Sequence, residues 1–387
     1  MNRYIAFLLL FLVSVLPSLA QDTILRPEVK AEPSVSVPDS ALAEKPSSPS
    51  PHGRQLKTPF LNRLYQWVKT FSSVDTTYIE PQKYNYAVML QNTNTFEFYE
   101  LQSKQDQRIT FSPKPSFKVG PYFGWRWIFL GYTIDLSHLG DGGKKQDWNI
   151  SLYSSQIGVD LFYRKNGDYR VHRMDLGKDI NTKAMRDAEF DGMETSIKGF
   201  NLYYIFNHRK FSYPAAYSQS TIQRRSVGSP MVGIGYTHHS LDFDWQQLRD
   251  LMDERTGSTA ARKDLGESLV ASKVNYTDLS FSCGYAYNWV FARNWLFDIS
   301  MMGAVAYKKS KSDTEKSGLL SFKFMDFKFN NFNMDGIFRA GIVWNNMRWF
   351  WGANTIAHIY NYRKSQFGSN NVFGSVNIYF GYNFGKR

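Results

Sequence analysis

The sequence predicts an all-β fold: an antiparallel transmembrane β-barrel of about 12–14 strands, preceded by a disordered N-terminal linker and a short helix. Three observations carry that expectation. The segment Ser375–Phe384 alternates, with Val376, Ile378, Phe380, Tyr382 and Phe384 on one face and Ser375, Asn377, Gly381 and Asn383 on the other, interrupted by Tyr379. A closing strand that is apolar outward and small or polar inward suits a wall with lipid outside and a polar lumen inside. Aromatic residues make up 17 % of the chain, as 24 Tyr, 30 Phe and 10 Trp. Barrels gather such rings into girdles at the two lipid–water interfaces. The third observation is an N-terminus with the form of an export signal.

Met1–Ala20 is that signal peptide. Arg3 gives a basic start, Ile5 to Val15 is an apolar core broken by Ser14, and Ser18-Leu19-Ala20 offers small residues for cleavage before Gln21. The apolar run is too short to cross a bilayer as a helix, and Pro17 follows it. Mean hydropathy is −0.41, and no later stretch approaches the roughly 18 consecutive apolar residues of a spanning helix. A barrel has this property because its alternating faces average out.

Residues 21–58 form the linker: Asp22–Thr58 holds six of the 14 prolines and no aromatic residue, so it has too little apolar surface to offset ordering. Residues 59–83 are a lead-in with a short helix, Leu61, Leu64, Tyr65 and Val68 falling at helical spacing within Phe60–Phe71. From residue 84 to residue 387 the period is two, the barrel itself. Tyr84, Tyr86, Val88 and Leu90 alternate, and Asn92-Thr93-Asn94 then reads as a turn. Ile128, Leu130, Tyr132, Ile134 and Leu136 alternate, as do Phe200, Leu202, Tyr204 and Phe206. The strictest pair sets Leu279, Phe281, Cys283, Tyr285, Tyr287 and Trp289 against Trp295, Phe297, Ile299, Met301, Val305 and Tyr307. Each has the roughly 9–11 residues that a tilted membrane strand requires.

Gly177–Glu194, Asp242–Asn275 and Lys308–Phe332 interrupt the pattern, and Leu248, Leu251 and Met252 put a helix in the second of them. Counting back from a C-terminus on the inner side makes Val290–Asn294 and Asn345–Met347 inner turns and the long segments outer loops.

Formal net charge is +12. For an exported chain the fitting partners are membrane lipids, including outer-leaflet lipopolysaccharide, and the barrel assembly machinery rather than nucleic acid. A monomer is expected. The lone Cys283 excludes an internal disulfide framework and sits in a strand pattern as a small apolar residue.

Four runs, Asp75-Thr76-Thr77-Tyr78-Ile79-Glu80-Pro81, Val119–Trp127, Phe211–Ser220 and Gly284–Trp289, resemble a family of outer-membrane-type proteins from Bacteroidetes catalogued as domain of unknown function 4421. The resemblance spans Asp75 to the C-terminus. It implies a cell-envelope barrel and carries no catalytic residues.

His238-His239-Ser240 is the sharpest chemical lead. His238 and Ser240 share a strand face, so the imidazole is placed to polarise the hydroxyl. The run resembles the His-x-Ser strand of outer-membrane lipid A deacylases, although Leu241-Asp242 replace the Asn-Ala that follows there. Asp242 is the local acid on that face. His238 and His239 point to opposite faces and do not chelate together. No catalytic, cofactor or metal residues are assigned. The expected role is a structural or surface-interaction barrel in the outer membrane, more a non-enzyme than an enzyme. The alternatives are a narrow channel for small solutes and an outer-leaflet lipid hydrolase using His238 and Ser240.

Overall fold

The computed structural model describes residues 74–103, 107–125, 128–131, 134–135, 145–177, 181–256, 273–310, 332–364 and 367–386. The expected signal peptide, linker and Phe60–Phe71 helix lie outside the described residues, as do the cores of two expected outer loops, 257–272 and 311–331.

In chain order the strands are β1 (Ile79–Pro81), β2 (Tyr84–Ser103), β3 (Arg108–Pro113), β4 (Ser116–Trp125), β5 (Ile128–Gly131), β6 (Ile134–Asp135), β7 (Gln146–Tyr153), β8 (Ile157–Asn166), β9 (Tyr169–Asp175), β10 (Glu189–Phe190) and β11 (Met193–Ile205). They continue as β12 (Thr221–Gln223), β13 (Val227–Phe243), β14 (Lys273–Ala292), β15 (Trp295–Ser310), β16 (Phe332–Asn345), β17 (Trp349–Lys364) and β18 (Phe367–Lys386). Two helices are described, α1 (Tyr213–Tyr217) and α2 (Trp245–Thr256).

The chain is an antiparallel transmembrane β-barrel. Pairing runs without a break from β7 through β8, β11, β13 to β18 in sequence, and then to β2 and β4. β18 joins β2 over almost its whole length, from Phe367↔Ser103 to Lys386↔Tyr84. Beyond β4 lie β5 and β6, which pair with it on one line. Among the described residues the wall therefore has twelve strand lines, within the expected range. β3, β9 and β10 stand above it. β1 and β12 form a separate two-stranded sheet.

The two faces of the wall follow the sequence parity. On β14, Leu279, Phe281, Tyr285, Tyr287 and Trp289 are exposed, while Tyr276, Asp278, Ser282, Ala286 and Asn288 are buried. On β18, Val376, Ile378, Phe380 and Phe384 are exposed and Ser375, Tyr379 and Asn383 are buried. A soluble β fold would invert this arrangement, because water would drive the large apolar side chains inward. Among the described residues no helix is long and apolar enough to cross a membrane; the strands do the crossing.

Both chain-end strands finish at one end of the barrel, with the short turns. Arg293 and Asn294 connect β14 to β15, and Asn294 takes the left-handed conformation at φ 67°. Outside this end the rings touch in sequence: Trp289 to Phe291, Phe291 to Trp295, Trp295 to Trp351, and separately Phe380 to Trp349, Tyr382, Phe384, Tyr86 and Phe123. Trp295 and Trp351 are 4.9 Å apart in edge-on contact. This is one aromatic girdle, at the level where rings with an apolar body and a polar tip are most stable. The opposite end carries the long connections, except the one between β11 and β13.

The structure corrects one sequence reading. Asn92-Thr93-Asn94 is not a turn but the middle of β2, paired on both sides, Asn92 opposite Ile378 and Val119. Local turn propensity gives way because Thr93 points inward and donates to Asn377 Oδ1 at 2.8 Å. Outside, Asn94 donates to Asn92 Oδ1 at 2.6 Å and Asn92 to the Lys118 carbonyl at 3.2 Å, so neither amide meets lipid bare.

Candidate functional site

The inward faces fill the lumen with polar groups in successive layers. In one layer Arg339 of β16 pairs with Asp160 of β8 across the barrel, both buried. The guanidinium also stacks 4.7 Å over the Tyr203 ring. Further along β8, Phe162 packs on His358 and Phe373, at 5.3 and 5.7 Å between ring centres. Above these, Lys308 Nζ lies 2.8 Å from Asp335 Oδ1 and 3.1 Å from Asp278 Oδ2. Arg164 donates to Asp147 Oδ1 at 3.1 Å and to the carbonyls of Phe96 and Gly374. Glu97 accepts from Asn166 and from the Tyr169 hydroxyl. Charges taken this far from water persist only when paired and hydrogen-bonded, and removing one partner costs about 3–5 kcal/mol.

A plug enters from the short-turn end. It is the connection between β11 and β13, and it holds the Phe211–Ser220 run. Ser212 precedes α1, whose first turn contains Pro214, where a missing N–H costs nothing. Phe211, Tyr213, Ala215 and Ala216 are buried. Tyr213 donates to Ser300 Oγ and Tyr217 to Asp298 Oδ1, each at 2.6 Å. Burial holds both phenols well above the ordinary tyrosine range, so they remain neutral donors. Tyr153 stacks on Tyr213 at 5.9 Å and joins the plug to the Arg339 layer.

Two buried glutamines wire the plug to the wall. Gln223 Oε1 accepts from Ser212 N–H and Asn288 Nδ2, each at 3.0 Å. Its Nε2 faces the carbonyls of Lys210, Arg225 and Tyr78 at 2.7, 3.0 and 3.2 Å. Gln219 meets the Tyr379 hydroxyl at 3.0 Å and Asn345 at 3.2 Å. The Asp75–Pro81 run locks the assembly from below: β1 pairs with β12, and Glu80 pairs with Arg224, which also reaches Asn294 in a wall turn. Burial opposes ionisation of Glu80, but its bonds to Arg224 and Lys83 prevail and lower its pKa.

The loop end is occupied differently. β3 pairs with the upper part of β2, β9 with β3, and β10 with β9. Their inner faces meet α2 around a core of Leu101, Ile109, Phe111, Phe190, Phe243 and Leu248. The Leu248 and Met252 spacing read from sequence as helical lies on α2, both residues buried. Asp244 caps that helix, its Oδ1 accepting from Gln246 and Gln247 N–H. Gly177–Glu194, unpatterned in sequence, supplies Met185, Phe190 and Met193 to the same core.

His238 and Ser240 share the outward face of β13, as their spacing requires. The supporting contacts go elsewhere: His238 Nδ1 lies 3.2 Å from Thr277 Oγ1, and Asp242 pairs with Lys273 at 3.2 Å. His239 turns inward and stacks on Tyr276 at 4.5 Å. Among the described residues no group of three or more His, Cys, Asp or Glu is placed to hold a metal. The plug and the lumenal pairs were not singled out from sequence. Their signal was available in two forms: charged residues at inward parity, such as Asp298, Lys308 and Arg339, and the Phe211–Ser220 run.

The family model for a domain of unknown function, DUF4421, matches residues 73–384. No curated protein matches the chain. Among solved structures, the outer membrane protease OmpT from Escherichia coli is similar at 6 % identity and a TM-score of 0.31, over 78 % of this chain and 97 % of that one. The beta domain of the Bordetella autotransporter BrkA is similar at 13 % identity and a TM-score of 0.32, over 78 % of this chain and 100 % of that one. The P. putida toluene transporter TodX is similar at 8 % identity and 0.21, over 78 % and 91 %.

Proposed function

The chain belongs to the DUF4421 family, a membership that assigns no activity, and from it and the geometry above we propose an outer-membrane barrel with a closed lumen that acts through its surface. In this reading Met1–Ala20 directs export, the assembly machinery inserts a monomer, the chain ends face the periplasm and the loop end faces outside. The observation that carries it is the plug seated by Gln223, Tyr213 and Tyr217 beneath a lumen crossed by the Arg339–Asp160 pair. A barrel filled this way has its ordered surface to offer, and the loop end carries its own packed core.

The test is conductance of purified protein in a planar bilayer, paired with lipid profiles of a deletion strain. The expected results are no steady ohmic current from the wild type and unchanged lipid A and phospholipid species, in the deletion strain and in a Ser240→Ala strain alike. A steady wild-type current supports the channel instead. A lipid species lost in Ser240→Ala supports the hydrolase.

A further inference from the structure

We propose that the loop-end rim of β8, β11, β13, β14 and β15 is a docking surface for the diphosphorylated headgroup of lipopolysaccharide. The proposal rests on the outer-membrane reading and names a partner for that surface. Its basis is how each strand leaves the apolar belt. On β11 the outward face passes from Phe200 to Lys198, on β13 from Tyr236 to His238, and on β15 from Tyr307 to Lys309. On β8 it passes from Tyr163 to Lys165. An aromatic residue followed two positions later by a cationic or ionisable one marks the depth where acyl chains give way to phosphates.

The register aligns these groups. Lys198 is opposite His238, His238 opposite Thr277, and Thr277 opposite Lys309. Three strand spacings separate the two lysines, about 14 Å. Two separated cations with an imidazole and a hydroxyl between them match a headgroup that carries two separated phosphates better than a glycerophospholipid with one. The acids nearby are already neutralised: Glu194 is held by Lys165 at 2.9 Å and Asp242 by Lys273 at 3.2 Å. Across the barrel the rim has another chemistry. There Ile359 is followed by Asn361, Val372 by Asn370 and Phe98 by Glu100, with Asn370 donating to Glu100 Oε1 at 3.0 Å. Among the described side chains the cationic rim is an arc, not a general property of the wall.

The experiment measures binding of the folded full chain in detergent to lipid A with both phosphates, to dephosphorylated lipid A and to phosphatidylglycerol, by native mass spectrometry. The wild type should prefer the diphosphorylated form by about tenfold. Lys198→Glu with Lys309→Glu should abolish that preference, and Lys198→Arg with Lys309→Arg should keep it. No preference in the wild type overturns the proposal, and so does a preference that survives charge reversal or equal binding of phosphatidylglycerol. Should the reversed variant fail to give the heat-modifiable folded form, the wild-type comparison and Lys309→Gln, which should weaken the preference, still decide. Because binding is measured in detergent, it stands apart from cell fractionation, where a soluble protein would defeat the outer-membrane reading by itself.

Discussion

The two ends of the barrel are both occupied, by opposite means. At the short-turn end the plug is held by directed polar contacts: Gln223 alone engages Ser212, Asn288 and three carbonyls. At the loop end the cap is held by burial, with Phe111, Phe190 and Phe243 mutually in contact at 5.2–5.5 Å. Directed contacts fail when one atom is wrong, because the abandoned partners remain buried. Burial fails by degrees, with the volume removed. The plug is therefore built as a latch and the cap as a small folded body.

The largest effect should come from the cap. Phe111→Ala removes a fully buried ring and should cost about 3–5 kcal/mol locally. Limited proteolysis of reconstituted protein should show the cap cut while the wall keeps its heat-modifiable migration. Simultaneous loss of both would mean that cap and wall are one cooperative unit, and the contrast between the ends would fall.

Next comes the wall that both ends share. Phe380→Asp puts a charge on the lipid face, where cations at mid-depth cost about 2–4 kcal/mol and acids less. Asn377→Asp, on the lumenal face beside Thr93 and Asn354, should assemble better. Equal insertion defects in folding assays would mean the faces are misassigned.

The latch is tested by Gln223→Ala, which leaves buried groups unpartnered at about 1–3 kcal/mol. Limited proteolysis of reconstituted protein should cut the plug segment while the cap keeps its resistance. A plug as resistant as in the wild type would remove Gln223 from the latch. A smaller effect is expected from pH. The folded Glu80 has a lowered pKa, so its contribution is present above the unfolded value of about 4.3 and is lost as pH falls through the folded one. The urea midpoint for plug release should drop more between about pH 6 and pH 3 in the wild type than in Glu80→Gln. Identical drops would remove Glu80 from the latch.

The wall was legible in the sequence and the closures were not, for a physical reason. Each wall strand answers to two media, so its parity separates two faces; Leu279 to Trp289 and Val376 to Phe384 could be grouped on one face without coordinates, and the barrel reading set that face outward. Asn92-Thr93-Asn94 misled because local turn propensity is set by three residues, whereas the pairing that overrides it comes from Ile378 and Val119, far along the chain. The plug depends on contacts across 65 residues between Gln223 and Asn288 and 144 between Arg224 and Glu80. No local period encodes such contacts. α2 was readable because its packing face repeats at helical spacing; the cap it completes was not.

The central claim is that the wall is inverted, with its large apolar side chains in lipid. The chain's single cysteine tests it without mutation. Cys283 is exposed on the outward face of β14, between Phe281 and Tyr285. In reconstituted vesicles it should react with a lipid-soluble maleimide and resist a charged, membrane-impermeant thiosulfonate, and a fluorophore attached there should be quenched by brominated acyl chains. Ready reaction with the charged reagent, with no quenching from the acyl chains, would contradict the account.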